Sequence, residues 1–293
     1  MYELIQVGEQ SYYLQSPAKI GIYLKNDKDA YLIDSGNDKD AGRKVRKILE
    51  QQGWDLKAIL NTHSNADHIG GNSYLQQQYG CKIFSRGIEA AFTQYPLLEP
   101  SFLYGGYPFK DLQHKFLMAA ASTTTDFSDT DFPQEIEIIP LPGHFFEMVG
   151  FRIPDGTVFL ADCLSSTATL EKYQLTFIYD VAAYLQTLEM VAALPAKMFV
   201  PAHAEATSDI RPLVAANQQK IWEIAEHLKT ICKEPLNFER ILQRLFADYQ
   251  LQMNYEQYVL VGSTVRSYLS WLKDTAQITA SITDNQLLWQ TIE

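Results

Sequence analysis

The chain has 293 residues, 46% hydrophobic and 20% charged, with 24 Lys and Arg against 35 Asp and Glu for a net charge of −11. That length and apolar fraction suffice for one large domain and a smaller one. The acidic balance argues against a general nucleic-acid or anionic-membrane binder, because phosphate contacts need clustered Lys and Arg, and leaves a small-molecule enzyme open.

The chain starts Met-Tyr-Glu-Leu-Ile-Gln-Val-Gly, without a basic region followed by an apolar one, so no signal peptide is expected. Residues 2–34 read as short strands, the clearest being Ala30-Tyr31-Leu32-Ile33, which ends in the turn signal Asp34-Ser35-Gly36. Helical spacing over 38–52 puts Val45, Ile48 and Leu49 on one face, with Gly53 as its stop. A strand at 57–61 leads into Thr62-His63-Ser64-Asn65-Ala66-Asp67-His68-Ile69-Gly70-Gly71, where the glycines are read as permitting the turn before a helix at 72–79. Lys82-Ile83-Phe84 continues the strand and helix alternation of an α/β layered domain.

Residues 87–133 interrupt this rhythm with Tyr95, Phe102, Tyr104, Tyr107, Phe109 and Phe116 among several prolines. They read either as an insertion that covers the His-rich loop and lines a pocket with rings, or as a helical excursion with its own satellite core. Strands at 136–139, 149–153 and 157–161 follow, the last two joined by the hairpin signal Asp155-Gly156. An amphipathic helix at 180–193 ends before Pro195, a strand at 197–200 leads to Pro201-Ala202-His203, and a long helix covers roughly 208–231. After Glu234-Pro235, helices at 237–249 and 254–273 and an alternating 279–291 segment with a turn at 283–285 give the outline of a winged helix. Residues 211–293 hold 8 Lys and Arg against 9 Asp and Glu, so a partner, dimer or lid role is expected there rather than contact with nucleic acid.

Cys81, Cys163 and Cys232 are odd in number and far apart, which predicts free thiols and a reducing, cytoplasmic location; no run approaches a membrane span. Cys163 reads as a small buried filler, and His114 and His227 fit no ligand pattern, His227 lying within a helix.

The chemistry is expected at residues 60–72. Two imidazoles and a carboxylate on one loop suit a divalent transition metal, because nitrogen and hard oxygen ligands favour zinc, iron or manganese. Asp34, His144 in Leu-Pro-Gly-His-Phe-Phe-Glu, Asp162 after Val-Phe-Leu-Ala, and His203 in Phe-Val-Pro-Ala-His each follow an apolar run or its turn, where strand ends meet at one rim.

In this order the motifs resemble those of the metallo-β-lactamase superfamily, and the first is similar to its His-x-His-x-Asp-His signature, glyoxalase II-like enzymes included. Asn65 stands where the signature has its middle histidine. The resemblance covers about residues 5–210. It implies an αββα sandwich for 1–210, with the 87–133 insertion, followed by a helical, winged-helix-like unit over 211–293. It also implies a first metal site from His63, residue 65 and His144, a second from Asp67, His68 and His203, and Asp162 bridging both. Asp34 would orient a ligand from behind, and Asp67 would also accept a proton. Zinc is the expected metal, as one or two ions, with iron or manganese as alternatives. Three fillings stay open at Asn65: two metals with an amide or water ligand, one metal at the second site, or one iron on His63, His144 and Asp162. Tyr173 and Tyr179, placed in a loop before the 180–193 helix, are candidates for facing substrate, as are Tyr104 and Tyr107.

The resemblance implies a hydrolase of a small ester, thioester or lactone-type substrate acting through metal-activated water. The alternatives are a mononuclear iron, persulfide-dioxygenase-like enzyme and a non-catalytic metal- or ligand-sensing module. A β-lactam substrate is disfavoured by the absent export signal. The expected partner is a small-molecule substrate, with neither nucleic acid nor membrane and with a homodimer left open.

Overall fold

A computed structural model describes residues 2–292. The first sheet has six strands in the order β1 (Glu3–Gln6), β2 (Ser11–Gln15), β3 (Ile20–Leu24), β4 (Asp29–Ile33), β5 (Asp55–Leu60) and β6 (Lys82–Phe84). β1 to β4 form an antiparallel meander, and β5 and β6 run parallel to β4. The parallel pairing requires a crossover, supplied by α1 (Lys39–Gln52). Asp38 caps α1 by accepting the Ala41 N–H at 2.9 Å, and Gly53 ends it at φ 71°. Short helices α2 (Ala66–Ile69) and α3 (Asn72–Tyr79) connect β5 to β6.

Alternation along the strands separates two cores. Ile22, Leu32 and Ile59 face α1 with Val45 and Leu49, while Tyr23, Ile33 and Leu60 face the second sheet. The segment between the sheets contains α4 (Gly87–Gln94), α5 (Leu98–Tyr104) and a 3₁₀ turn at Lys110–Leu112. The second sheet is built from β7 (Glu137–Pro140), β8 (Val149–Arg152), β9 (Thr157–Ser165) and β10 (Met198–His203) in the order β10-β9-β8-β7. Phe151, Phe159 and Val200 meet the first sheet, and α6 (Thr167–Tyr173), α7 (Val181–Ala193) and α8 (Arg211–Ile231) lie in the elements that follow β9 and β10. Leu160 and Leu164 of β9 pack with Leu188 of α7 and Ile224 and Leu228 of α8, which completes an αββα sandwich.

β11 (Leu236–Asn237), α9 (Phe238–Asp248), α10 (Tyr255–Asp274), β12 (Ile278–Thr283) and β13 (Gln286–Thr291) close the chain, with β13 central in a three-stranded sheet. The expected turn pairs Thr283 with Gln286. Ile241, Leu245, Val265 and Leu269 belong to the same apolar cluster as the α7 and α8 residues. The 210/211 division thus falls at the start of a helix that packs in both directions. Among the described residues no helix is long and apolar enough to cross a membrane.

Candidate metal centre

Asp34 follows β4, His63 follows β5, Asp67 and His68 lie on α2, His144 is in the β7–β8 loop, Asp162 is in β9 and His203 ends β10. The expectation that Asp162 ends its strand is corrected: β9 continues to Ser165. Its direction changes through a local irregularity instead. Ala161 takes φ 50°, and the β9–β10 register shifts between Val200 and Pro201 and again before His203. Such a bulge re-aims a side chain without ending the strand. Asp34 also has a left-handed φ of 63°, a region in which Asp is enriched among non-glycine residues.

The role expected of Gly70 and Gly71 is corrected too. Gly70 is right-handed (φ −62°), as any residue may be, but a Cβ there would stand 2.3 Å from the Asn37 carbonyl carbon. One on Gly71 would stand 2.4 Å from the Ser35 carbonyl oxygen. The glycines let the His loop press against the turn that carries Asp34, and Ser35 N–H donates to the His68 carbonyl at 2.8 Å.

Asp67, His68, Asp162 and His203 offer ligand atoms that all lie within 4.8 Å of one another, and so do His63, His144 and Asp162. His68 Nε2 is 2.9 Å from Asp162 Oδ1, His203 Nε2 is 3.1 Å from Asp162 Oδ2 and 3.4 Å from Asp67 Oδ2, and His144 Nε2 is 3.7 Å from Asp162 Oδ2.

The hydrogen bonds on the other ring nitrogens assign the tautomers. His68 Nδ1 faces Asp34 Oδ2 at 2.7 Å, His144 Nδ1 faces the Phe177 carbonyl at 3.0 Å, and His203 Nδ1 faces the Pro17 carbonyl at 3.1 Å. Each partner is an acceptor, so each Nδ1 carries a proton. His63 Nδ1 is 2.9 Å from Thr62 Oγ1, whose own proton goes to Asp34 Oδ2 at 2.7 Å, so this Nδ1 donates as well. All four rings therefore turn Nε2 toward the cluster. His63 Nε2, His68 Nε2 and Asp162 Oδ1 are buried without an aligned hydrogen-bond partner, although the last two are close in space. Buried polar atoms with no partner, converging from imidazole and carboxylate, fit a divalent cation of the zinc, iron or manganese type.

Electrostatics agree with that donor set. Burial, with His68 alongside, holds His63 well below the ordinary histidine value, and burial lowers His144. Burial opposes charge on His203, but Asp162 and Asp67 outweigh it and hold the ring at about 10; Asp162, Asp67 and Asp34 likewise push His68 well up. Burial also opposes charge on Asp162, yet His203 and His68 hold it well below the carboxylate range. The carboxylates thus collect positive charge around themselves, the charge a dication supplies.

Residues without a sequence signal support this cluster. Thr62 links His63 to Asp34, and its N–H also donates to Asp34 Oδ1 at 2.8 Å. Glu89 of α4 accepts from Ser64 N–H (3.0 Å), Ser64 Oγ (2.5 Å) and Glu147 N–H (2.8 Å), tying the His63 loop to the His144 loop. Burial pushes its carboxyl up to about 7. Glu99 of α5 accepts from Asn65 Nδ2 at 2.7 Å. Only Thr62, adjacent to the motif, had a neighbour that pointed to it; Glu89 and Glu99 come from the insertion, where nothing in the pattern marks them.

A cavity of about 710 Å³ opens on Asp67, Asn65, His144, Asp162 and His203. Asp67 is turned toward it, with 40% of its side chain exposed. Its walls include Leu117, Leu175, Phe177 and Leu260, with Lys172 and Glu256 among the charged lining. Tyr173 lies in this wall, as the last residue of α6 rather than in the expected loop. The placement of Tyr104, Tyr107 and Tyr179 at the substrate site is corrected. Tyr104 and Tyr179 line a neighbouring cavity of about 880 Å³ against α10, and Tyr107 is 77% exposed. Tyr179 is held away by its ring contact with Phe146, 4.1 Å between centroids. Cys163 is buried as expected, and burial raises its thiol out of reactive range. His227 pairs with Asp248 and His114 with Glu256, both outside the two clusters of ligand type.

A two-sheet sandwich with imidazoles and carboxylates gathered at the strand ends along one edge defines the class: an αββα protein with a candidate metal centre. The chain belongs to the metallo-β-lactamase superfamily, since residues 21–203 match the profile described as "Metallo-beta-lactamase superfamily". It is 28% identical over 169 residues to a hydroxyacylglutathione hydrolase of Cereibacter sphaeroides (strain ATCC 17029 / ATH 2.4.9), a match covering 57% of this chain and 56% of that protein. The chain thus spans little more than half the length of that curated relative. Among solved structures, a beta-lactamase domain protein from Burkholderia ambifaria shares the fold over 99% of this chain and 94% of its own, with a TM-score of 0.72 at 14% identity. A metallo-beta-lactamase family protein from Thermus thermophilus does so over 99% and 97%, with a TM-score of 0.69 at 14% identity. Both likenesses extend through the C-terminal elements.

Proposed function

We propose that this protein is a metal-dependent hydrolase of a small thioester, ester or lactone. The observation that carries the reading is the set of four imidazoles, each locked by an Nδ1 donor bond, that present Nε2 toward Asp67 and Asp162, with His144 and His203 lining a cavity and His63 and His68 buried behind it. His63, His144 and Asp162 would hold one ion and Asp67, His68, Asp162 and His203 another, zinc first, with iron or manganese as alternatives. Such an ion polarises a carbonyl and supplies hydroxide at neutral pH.

The chain's own residues do the rest. Asp34 fixes His68 directly and His63 through Thr62, so neither ring needs to reorganise. Asp67 Oδ2, open to the cavity and 3.4 Å from His203 Nε2, is placed to take a proton from the attacking water and return it to the leaving group. Leu117, Phe177 and Leu260 form an apolar wall suited to an acyl chain, with the Lys172 ammonium as a positive group in the lining. The likeness to a protein named hydroxyacylglutathione hydrolase supports a thioester first. A cytoplasmic site of action agrees with the buried free thiols.

A second reading has one observation in its favour: His63, His144 and Asp162 alone are two imidazoles and a carboxylate, a set that suits a mononuclear iron oxygenase. The other four-residue group, which such an enzyme does not need, favours hydrolysis. The test is a panel of thioesters, lactones and a cephalosporin, run beside oxygen uptake with a persulfide. Chelator-sensitive turnover of a thioester or lactone is expected. Oxygen uptake without hydrolysis, or metal-loaded protein inert toward the whole panel, overturns the proposal.

A further inference from the structure

Asn65 is the N-cap residue of α2, yet its side chain makes no cap hydrogen bond. Asparagine is among the best N-cap residues, so a different demand holds it away. Its amide lies between two groups: Nδ2 donates to Glu99 Oε1 at 2.7 Å, and Oδ1 is 3.1 Å from His144 Nε2.

Both contacts are incomplete as they stand. His144 donates through Nδ1 to the Phe177 carbonyl, which leaves Nε2 as the ring atom turned to the amide oxygen. A nitrogen and an oxygen at that distance can share one cation. Glu99 is 5% exposed, and among the described residues Asn65 is the only side chain that hydrogen-bonds it and no Lys, Arg or His pairs with it. Its carboxyl has one side-chain donor where it could take several, and that donor is the Asn65 N–H. A metal ion beyond the amide oxygen would take up the other end of the same side chain.

We propose that Asn65 and Glu99 act as one unit, in which the Glu99 carboxylate holds the Asn65 amide so that Oδ1, not Nδ2, completes the first metal site beside His63 and His144. The carboxylate plays toward the amide the part that Asp34 plays toward His68. It fixes orientation, and by drawing on the N–H it leaves more electron density on the ligating oxygen. Glu99 is thus a positioning residue. The first site becomes harder than one with three imidazoles, so it should be the weaker of the two for zinc and relatively more accepting of manganese. The inference rests on the reading of the cluster as a metal centre.

The experiment is a Co²⁺ titration of chelator-stripped full-length protein, followed by equilibrium dialysis and the visible Co²⁺ spectrum. The variants are Glu99→Leu, Glu99→Gln, Asn65→Ala and Asn65→Ala with Glu99→Leu. The wild type should bind a tight and a weaker equivalent. Glu99→Leu and Asn65→Ala should each weaken the second by about 10- to 100-fold, with the band of that site altered and the tight equivalent unchanged. The double variant should be no worse than either single, the mark of residues acting together. Glu99→Gln, which keeps an acceptor but not the charge, should fall between wild type and Glu99→Leu. Retention of the tight equivalent reports an intact fold. If Glu99→Leu loses it as well, Glu99→Gln decides. A weaker equivalent indifferent to Glu99, or to Asn65, overturns the proposal, as does a wild type that binds a single ion. A wild type that binds none removes the metal centre itself, a separate failure.

Discussion

Asp34 shows how much one side chain can organise. It accepts three hydrogen bonds, from Thr62 N–H, Thr62 Oγ1 and His68 Nδ1, and through Thr62 it also sets His63. Asparagine tolerates its left-handed φ of 63°, so Asp34→Asn tests the charge and the acceptors rather than the backbone. Metal affinity measured by chelator competition should fall about 10- to 100-fold, while the far-ultraviolet circular dichroism stays as in the wild type. Unchanged affinity would show that the rings are held by packing alone. Glu89 gives a pH prediction at the same scale. Its carboxyl sits at about 7 in the folded chain against an ordinary 4.5. The folded state therefore binds this proton more tightly than the unfolded one. That contribution is full below about 4.5 and is lost as pH rises through 7, on the order of 3 kcal/mol in all. Glu89→Gln carries no such proton, so in urea unfolding it should gain on the wild type by up to that amount between pH 4.5 and 8. A stability difference that does not change with pH would contradict the shift.

Among elements, the insertion and α10 work together because they meet. Leu103, Leu112 and Leu117 pack with Val259, and Phe109 and Tyr255 are in edge contact at 5.0 Å. Leu117 and Leu260 then face the cavity. Leu117→Ala should cost about 2–5 kcal/mol in stability, the usual range for a buried leucine. On the proposed hydrolase reading it should also raise KM more than it lowers kcat, since a cavity wall would contact substrate and transition state alike. A variant with lowered kcat at constant KM would place Leu117 nearer the chemistry than the structure does. The elements also show what a sequence can reveal. Strand alternation, the Gly53 stop, the Asp155-Gly156 hairpin and the C-terminal turn were legible because local backbone preference decides them. The bulge at Ala161 and the one-turn α2 were not, since both follow from how β9 meets β10 and how the His loop meets Ser35. In the same way the imidazoles and carboxylates could be picked out by motif. Glu89 and Glu99 reach the His loop only through the folding of a segment whose sequence resembles nothing regular, and three of the four tyrosines chosen for the pocket point elsewhere.

The second sheet and the C-terminal elements share one apolar cluster that runs from β9 through α7 and α8 into α9 and α10. A chain cut after Lys233 would expose Ile224, Leu228 and Ile231 and lose the α10 wall of the cavity. It should therefore fail to give a cooperative thermal transition, whereas a truncated chain that unfolds cooperatively and retains metal would show two independent units. The shared core also assigns a place to the C-terminal elements. α10 supplies Glu256, Gln257, Leu260, Val261 and Thr264 to the cavity lining, so the elements beyond the sandwich help shape the cavity. The most direct test of the metallohydrolase reading is the rate of thioester hydrolysis by full-length protein stripped with chelator and then reloaded with graded zinc, iron or manganese. The stripped protein should hydrolyse near the uncatalysed rate, with activity returning in step with metal bound per chain. Hydrolysis that survives complete stripping, or bound metal without hydrolysis, would contradict that reading.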